Sequence, residues 1–268
     1  MNDLFLENIL FTIATVGYVL ASLAYFFTLS TKKDALWKWA RRITLLAFLF
    51  QTAAILVRAL ATGRPPLSNQ YEFATAFSWG IALFFILFER KYKYYSMGAF
   101  ILPIVVLVIG YAALQSKEVR PLMPALQSGW LAIHVSLAIL SYGSLAVSCG
   151  VSVMYLVKDK NPASHLPETG QLDEISYRAV IIGFLCLTLT IISGAIWAQY
   201  SWGRYWAWDP KETWSLITWL IYTVYLHMRR TKGMAGRRAA LFSVIGFVCV
   251  LFTYVGVNTL LPSLHSYV

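Results

Sequence analysis

Long uninterrupted apolar runs constrain this chain more than any other feature. Stretches of about twenty residues with scarcely a charge recur along its 268 residues, and that is the length a helix needs to cross the hydrocarbon core of a bilayer. The runs are continuous rather than alternating, which excludes a transmembrane barrel. With 59% hydrophobic and only 13% charged residues, the chain exceeds the apolar share of a soluble domain. The expected fold is all-α: a polytopic integral membrane protein of about eight transmembrane helices. They are expected at about Asn8–Thr28, Ile43–Ala61, Tyr71–Phe88, Met97–Leu114, Gly129–Val157, Ala179–Gln199, Thr213–Met228 and Ala239–Val257. Pro103 lies inside the fourth and is a candidate kink.

Eight spans leave both termini on one side, and the cations say which. Sixteen of the 22 Lys and Arg fall in alternate connections. They are Lys32, Lys33, Lys38, Arg41 and Arg42; Arg90, Lys91 and Lys93; Lys158, Lys160 and Arg178; and Arg229, Arg230, Lys232, Arg237 and Arg238. Arg58, Arg64, Lys117, Arg120, Arg204 and Lys211 make up the rest. The positive-inside rule puts the larger set in the cytoplasm and predicts an N-out, C-out topology. The net charge of +10 is therefore topological and does not call for nucleic acid. Met1-Asn2-Asp3 lacks the basic region of a cleavable signal. Cys149, Cys186 and Cys249 lie inside the spans without metal-ligand spacing and read as small core residues. The chain also lacks the Cys-x-x-Cys-His of a c-type cytochrome.

One connection is unlike the others. Trp202-Gly203-Arg204-Tyr205-Trp206-Ala207-Trp208-Asp209-Pro210-Lys211-Glu212-Thr213-Trp214 holds four indoles in thirteen residues. It is too polar for a span and too aromatic for an ordinary loop. Its second half is a helix start: Asp209 as N-cap, Pro210 as first residue and Glu212 as return partner of a capping box. Interfacial tryptophan belts are scattered over many helix ends, whereas these crowd one outward-facing loop. A flat, π-rich ligand held at the outer surface explains them better.

The four histidines sort by depth. His134 sits five residues into the fifth span, about 7–8 Å below its outer end at the helical rise. His265, in Leu261-Pro262-Ser263-Leu264-His265, follows the outer end of the last span. His227 lies about 21 Å along the seventh span from Thr213, in the cytoplasmic half, and His165 is in a hydrophilic cytoplasmic segment. An intramembrane histidine can simply bond a neighbouring helix. Two imidazoles on one level beside an aromatic shelf, however, suit bis-axial ligation of a haem iron with the porphyrin on the indoles. Each ligand should be neutral, with a second acceptor fixing its tautomer. Arg204, Lys211, Arg64 and Arg120 are the candidate partners for the haem propionates. Asn69 and Glu72 either line the site or serve as a helix cap and first-turn carboxylate.

These residues carry a resemblance. The Trp202–Trp214 stretch resembles the tryptophan-rich WWD signature of haem-handling proteins, most closely the CcsA/ResC family of the System II cytochrome c maturation pathway. The likeness extends to Gly129-Trp130-Leu131-Ala132-Ile133-His134, Tyr225-Leu226-His227 and the segment from Asn258 to Tyr267, nearly the whole chain. Ala207 stands where relatives often have Gly. The resemblance implies one transmembrane haem-handling domain over residues 1–268, with the external loop at about 197–214. It implies haem b as cargo, cradled by Trp202, Gly203, Arg204, Tyr205, Trp206, Trp208, Asp209 and Trp214. His134 and His265 match the external iron ligands; His227 matches an inner ligand whose counterpart comes from a CcsB/ResB partner. Thioether attachment to apocytochrome c would follow, at a bacterial cytoplasmic or thylakoid membrane, as half of a cytochrome c synthase.

Three alternatives make different demands. A CcmC-type relative would hand haem to a chaperone, but Trp208-Asp209-Pro210-Lys211-Glu212-Thr213-Trp214 and His227 favour the CcsA type. A dihaem b-type electron carrier needs histidine pairs at two depths, and this chain has one pair. A transporter gated by tryptophans leaves His134 and His265 unexplained.

Overall fold

The computed structural model describes residues 2–31 and 34–261. Eight long helices account for most of them: α1 (Asn2–Thr31), α2 (Asp34–Thr62), α3 (Gln70–Tyr92), α4 (Gly98–Ala113), α5 (Gly129–Lys160), α6 (Thr169–Trp202), α7 (Pro210–Lys232) and α8 (Arg237–Leu251). Among the described residues there is no strand. The protein is a polytopic all-α membrane protein, since seven of these helices are long and apolar enough to cross a bilayer. The eighth expected span, α7, has 23 residues and so about 35 Å of length. With Lys211 and Glu212 at one end, Arg229, Arg230 and Lys232 at the other, and Ser and Thr between, it is the least apolar of the set.

The helices outrun their apolar cores. Lys38, Arg41 and Arg42 sit in the opening turns of α2 rather than in a loop, and α6 begins at Thr169, ten residues before the expected span. A span predicted from apolarity ends where charge begins, whereas helical hydrogen bonding continues into the headgroup region. The hydrophilic segment between α5 and α6, expected in the cytoplasm, thus shrinks to residues 161–168. The described chain forms two compact units, Met1–Arg120 and Pro121–Val268.

In the first unit, the buried residues of α1 are Glu7, Phe11, Ala14, Tyr18, Ala21 and Tyr25; those of α2 are Ala40, Thr44, Ala47, Gln51, Ala54 and Arg58. Both sets step by three and four, the spacing of a supercoiled seam. Glu7 meets Arg58 and Tyr18 meets Gln51, so the partner number falls as the first rises and the pair is antiparallel. Small residues bring the helices close: a Cβ added at Gly17 would stand 2.9 Å from that of Ala47. Polar side chains at three heights tie this pair to α3. At one end Glu72 accepts from Arg58 (2.9 Å) and Arg64 (3.0 Å), and Tyr71 bonds Glu7. Midway, Tyr18 donates to Gln51 (2.7 Å), which donates to Ser78 (2.8 Å). At the other end Tyr25 bonds Glu89, which also faces Arg41 at 3.6 Å.

The second unit is built on α5. Its Ser141, Ser144 and Ser148 donate to the carbonyls of Gly183 (2.9 Å), Ala179 (2.8 Å) and Ser176 (3.1 Å) on α6. Small residues at these positions let the backbones approach, as membrane helices require. On its other side Ser148 meets Ser243 of α8 at 2.7 Å. The end away from the tryptophan loop is pinned by Asp173, which accepts from Arg229 (2.9 Å) and from the Gly236 amide (3.0 Å).

Candidate haem site

The serine seam fixes the register between α5 and α6, and that register sets His134 against α6. The Nδ1 of His134 lies 2.8 Å from the Thr190 carbonyl oxygen. A carbonyl only accepts, so Nδ1 carries the proton; in the neutral ring Nε2 then keeps its lone pair, the form a metal ligand requires. The imidazole also lies nearly parallel to the Trp197 indole, at 16° with centroids 6.0 Å apart. Trp197 is held in turn, donating Nε1–H to the Ala125 carbonyl at 2.9 Å. Its far side meets Trp202 edge to face at 4.7 Å. An unbroken aromatic contact thus joins His134 to the first indole of the loop.

Trp202 is the last residue of α6, and Gly203 ends the helix with φ 73°, its N–H returning to the Gln199 carbonyl at 2.9 Å. That left-handed cap is why glycine stands there. The chain then crosses 203–209 and re-enters helix at Pro210 with the expected capping box: Asp209 is N-cap and Glu212 its return partner. Glu212 does more than close the box. Its Oε2 accepts from the amides of Ala207 (2.7 Å) and Asp209 (3.1 Å), the residues on either side of Trp208. Trp208 itself has φ 57°, a left-handed conformation that costs a bulky residue energy and is found where function demands it. Its indole is 70% exposed and Tyr205 is 61% exposed; Trp206 meets Trp208 edge to face at 5.8 Å.

The other candidate residues separate. Trp214 packs on Phe252 at 4.2 Å, and Phe252 opens a π-helical turn, Phe252–Gly256, at the end of α8. Such turns often mark functional sites. Arg204 is exposed and Asp209 buried. Burial pushes the Lys211 ammonium, two residues ahead of the expected span Thr213–Met228, down to about 8 against the opposing pull of Asp209. Arg64 and Arg120 lie in the other unit and already face carboxylates, Glu72 at 3.0 Å and Glu118 at 3.0 Å. Asn69 caps α3, accepting from the Glu72 amide at 2.8 Å, so the capping alternative is the one realised there. His227 is exposed on α7, as is His165 in its loop. His265 lies outside the described residues.

Thr190, Gly194, Trp197, Glu212 and Phe252 were not singled out as site residues by sequence. Thr190, Gly194 and Trp197 follow the i, i+4, i+7 spacing of one helical face. Reading that face against His134 would have required the α5–α6 register, which sequence alone does not supply. Glu212 was legible as a cap, but its grip on Ala207 depends on the loop's fold.

Fold and site define a membrane protein of polytopic α-helices whose aromatic loop adjoins a tautomer-fixed histidine. The chain belongs to the cytochrome c assembly protein family, whose model matches residues 67–265, and this places it in cytochrome c maturation. It is similar to cytochrome c biogenesis proteins CcsA. One from Prochlorococcus marinus (strain MIT 9301) is 40% identical over 258 residues, covering 85% of this chain and 84% of that one. Another, from Pyropia yezoensis, is 35% identical over 315 residues, covering 100% and 99%. In fold the chain is similar to a structure of cytochrome c haem lyase CcmF, with TM-score 0.77 and 20% identity over 98% of this chain. It spans about half of that longer chain, 48%.

Proposed function

We propose that the protein binds haem b at the outer surface of its membrane and presents it for attachment to the Cys-x-x-Cys-His thiols of apocytochrome c. One observation carries this reading. The Nδ1–H of His134 is committed to Thr190, and an aromatic path runs from the same ring to the Trp202–Trp214 loop. A neutral Nε2 donor, the exposed indole and phenol of the loop, and Arg204 and Lys211 as cations for the propionates suit haem in ligand chemistry, shape and charge. Bound haem would supply the vinyl groups. This chain's residues hold its plane, fix the ligand tautomer and leave an edge open to the substrate thiols.

In this reading His134 and His265 are the external iron ligands, and the chain acts as one unit over residues 1–268. His227, exposed on α7, is the inner ligand, completed by a CcsB/ResB-type membrane partner with which the chain forms a cytochrome c synthase. The membrane is a bacterial cytoplasmic or thylakoid membrane, with the tryptophan loop on the outer or lumenal side. The test is the visible spectrum of the complex purified in detergent with the partner co-expressed, for wild type, His134→Ala and His265→Ala. Six-coordinate low-spin haem in the wild type, lost or converted to five-coordinate in each variant, is the expected result. An unchanged spectrum in both variants overturns the ligand assignment.

A further inference from the structure

We infer that Gly194 and the Thr190 carbonyl form a dedicated seat for the His134 ring, with Gly194 a positioning residue for haem ligation. The inference rests on the reading of His134 as an iron ligand, but its physical basis is independent of haem. A Cβ added at Gly194 would stand 2.7 Å from both Cε1 and Nδ1 of His134, a separation that atoms in proteins do not tolerate. The ring therefore lies in the space that a side chain at position 194 of α6 would take.

Three sides of the ring are thus determined by one face of α6. Thr190 receives the Nδ1–H at 2.8 Å, Gly194 faces Cε1 and Nδ1, and Trp197 lies nearly parallel at 6.0 Å. These three positions are successive steps along one stripe, so a single rigid element orients the imidazole. Ser193 adds a second donor to the same Thr190 carbonyl, at 3.1 Å. Nε2 is the ring's remaining nitrogen, adjacent to the Cε1 that Gly194 faces. Displacing the ring by even a few tenths of an ångström moves that nitrogen and strains the Nδ1 hydrogen bond.

Gly194 is not there for helix packing alone. Farther along the same seam, Gly183 gives room to Leu145, with an added Cβ 2.6 Å from the Leu145 side chain. Gly183→Ala is therefore the matched control: the same substitution on the same interface, crowding Leu145 and, at 3.2 Å, the Ser141 carbonyl oxygen rather than the histidine.

The decisive experiment uses the full chain with its partner in detergent and reads two signals. Imidazole 15N resonances of His134 in haem-free protein, assigned with His134→Ala, report the tautomer. The wild type is expected to hold the Nδ1–H form; an Nε2–H tautomer overturns the seat. Gly194→Ala should shift those resonances and move the haem from low to high spin, whereas Gly183→Ala, about three turns away on the serine seam, should have a clearly smaller effect on both. Low-spin haem and unmoved resonances in Gly194→Ala overturn the inference, as does an equal loss of low-spin haem in Gly183→Ala. If Gly194→Ala does not accumulate, the wild-type tautomer still decides. Low-spin haem persisting in His134→Ala would instead sink the ligand reading and leave the seat to the 15N result.

Discussion

At the residue scale the loop turns on Glu212 and Lys211. Glu212 converts a helix cap into a clamp, since one carboxylate oxygen receives the amides on both sides of a left-handed tryptophan. Glu212→Ala removes the shared acceptor of both amides and the capping box together, which costs roughly 1–2 kcal/mol of local stability on the scale of lost caps. The expected outcome is a more mobile, more readily quenched Trp208, read by indole fluorescence against Trp208→Phe, and weaker haem binding. Unaltered quenching and affinity would show that the loop holds its shape by other means. Lys211 makes the second prediction. An ammonium pushed down to about 8 by burial is half-neutral at that pH, and a haem propionate beside it would raise its pKa. Binding then takes up a proton above about pH 8, so haem affinity should fall as pH rises through that value. Lys211→Met should bind more weakly at neutral pH and lose this pH slope; a slope retained in the variant assigns the proton elsewhere.

At the element scale, membrane helices of similar apolarity are told apart by where they place small and polar residues. The end of the first unit opposite Glu89 centres on Arg58, buried with Glu7 and Glu72. Glu72→Gln leaves Arg58 and Arg64 without their shared carboxylate, and breaking one side of a buried pair costs about 3–5 kcal/mol. A lowered melting temperature in detergent, partly restored by replacing Arg58 with Met in the same background, is the expected result. No change in melting would mean that lipid or water replaces the carboxylate. The helices themselves and the Asp209 cap were legible in sequence because each depends on neighbours within a few residues. The pairing of His134 with Thr190 and Gly194 was not, because it joins residues 56 and 60 positions apart through a register set by Ser141, Ser144 and Ser148. Apolar periodicity marks a helix as membrane-embedded and leaves its rotation open. The heptad burial on α1 and α2 likewise identifies a seam only once the partner helix is known.

At the scale of the whole molecule, charge and chemistry must agree on sidedness. Sixteen of 22 cations lie in or beside one set of alternate connections, many of them in the flanking helix ends, and the segment 161–168 belongs to that set, whereas the loop 203–209 belongs to the other. The positive-inside rule then predicts the tryptophan loop outside, where apocytochrome thiols are displayed in the proposed reaction. The two segments flank a single helix, α6, of 34 residues, so they must lie on opposite faces if α6 crosses once. Cysteine placed at Ala163 or at Arg204 tests this directly, since both positions are exposed. The native thiols at Cys149, Cys186 and Cys249 lie within α5, α6 and α8, and a membrane-impermeant maleimide should reach them poorly. In intact spheroplasts Arg204→Cys should label at once and Ala163→Cys only after lysis. The reverse order would invert the topology and place the proposed haem edge in the cytoplasm. Cytochrome attachment outside the membrane would then need a different surface of the protein, and the case for the Trp202–Trp214 loop as the presenting site would fall with it.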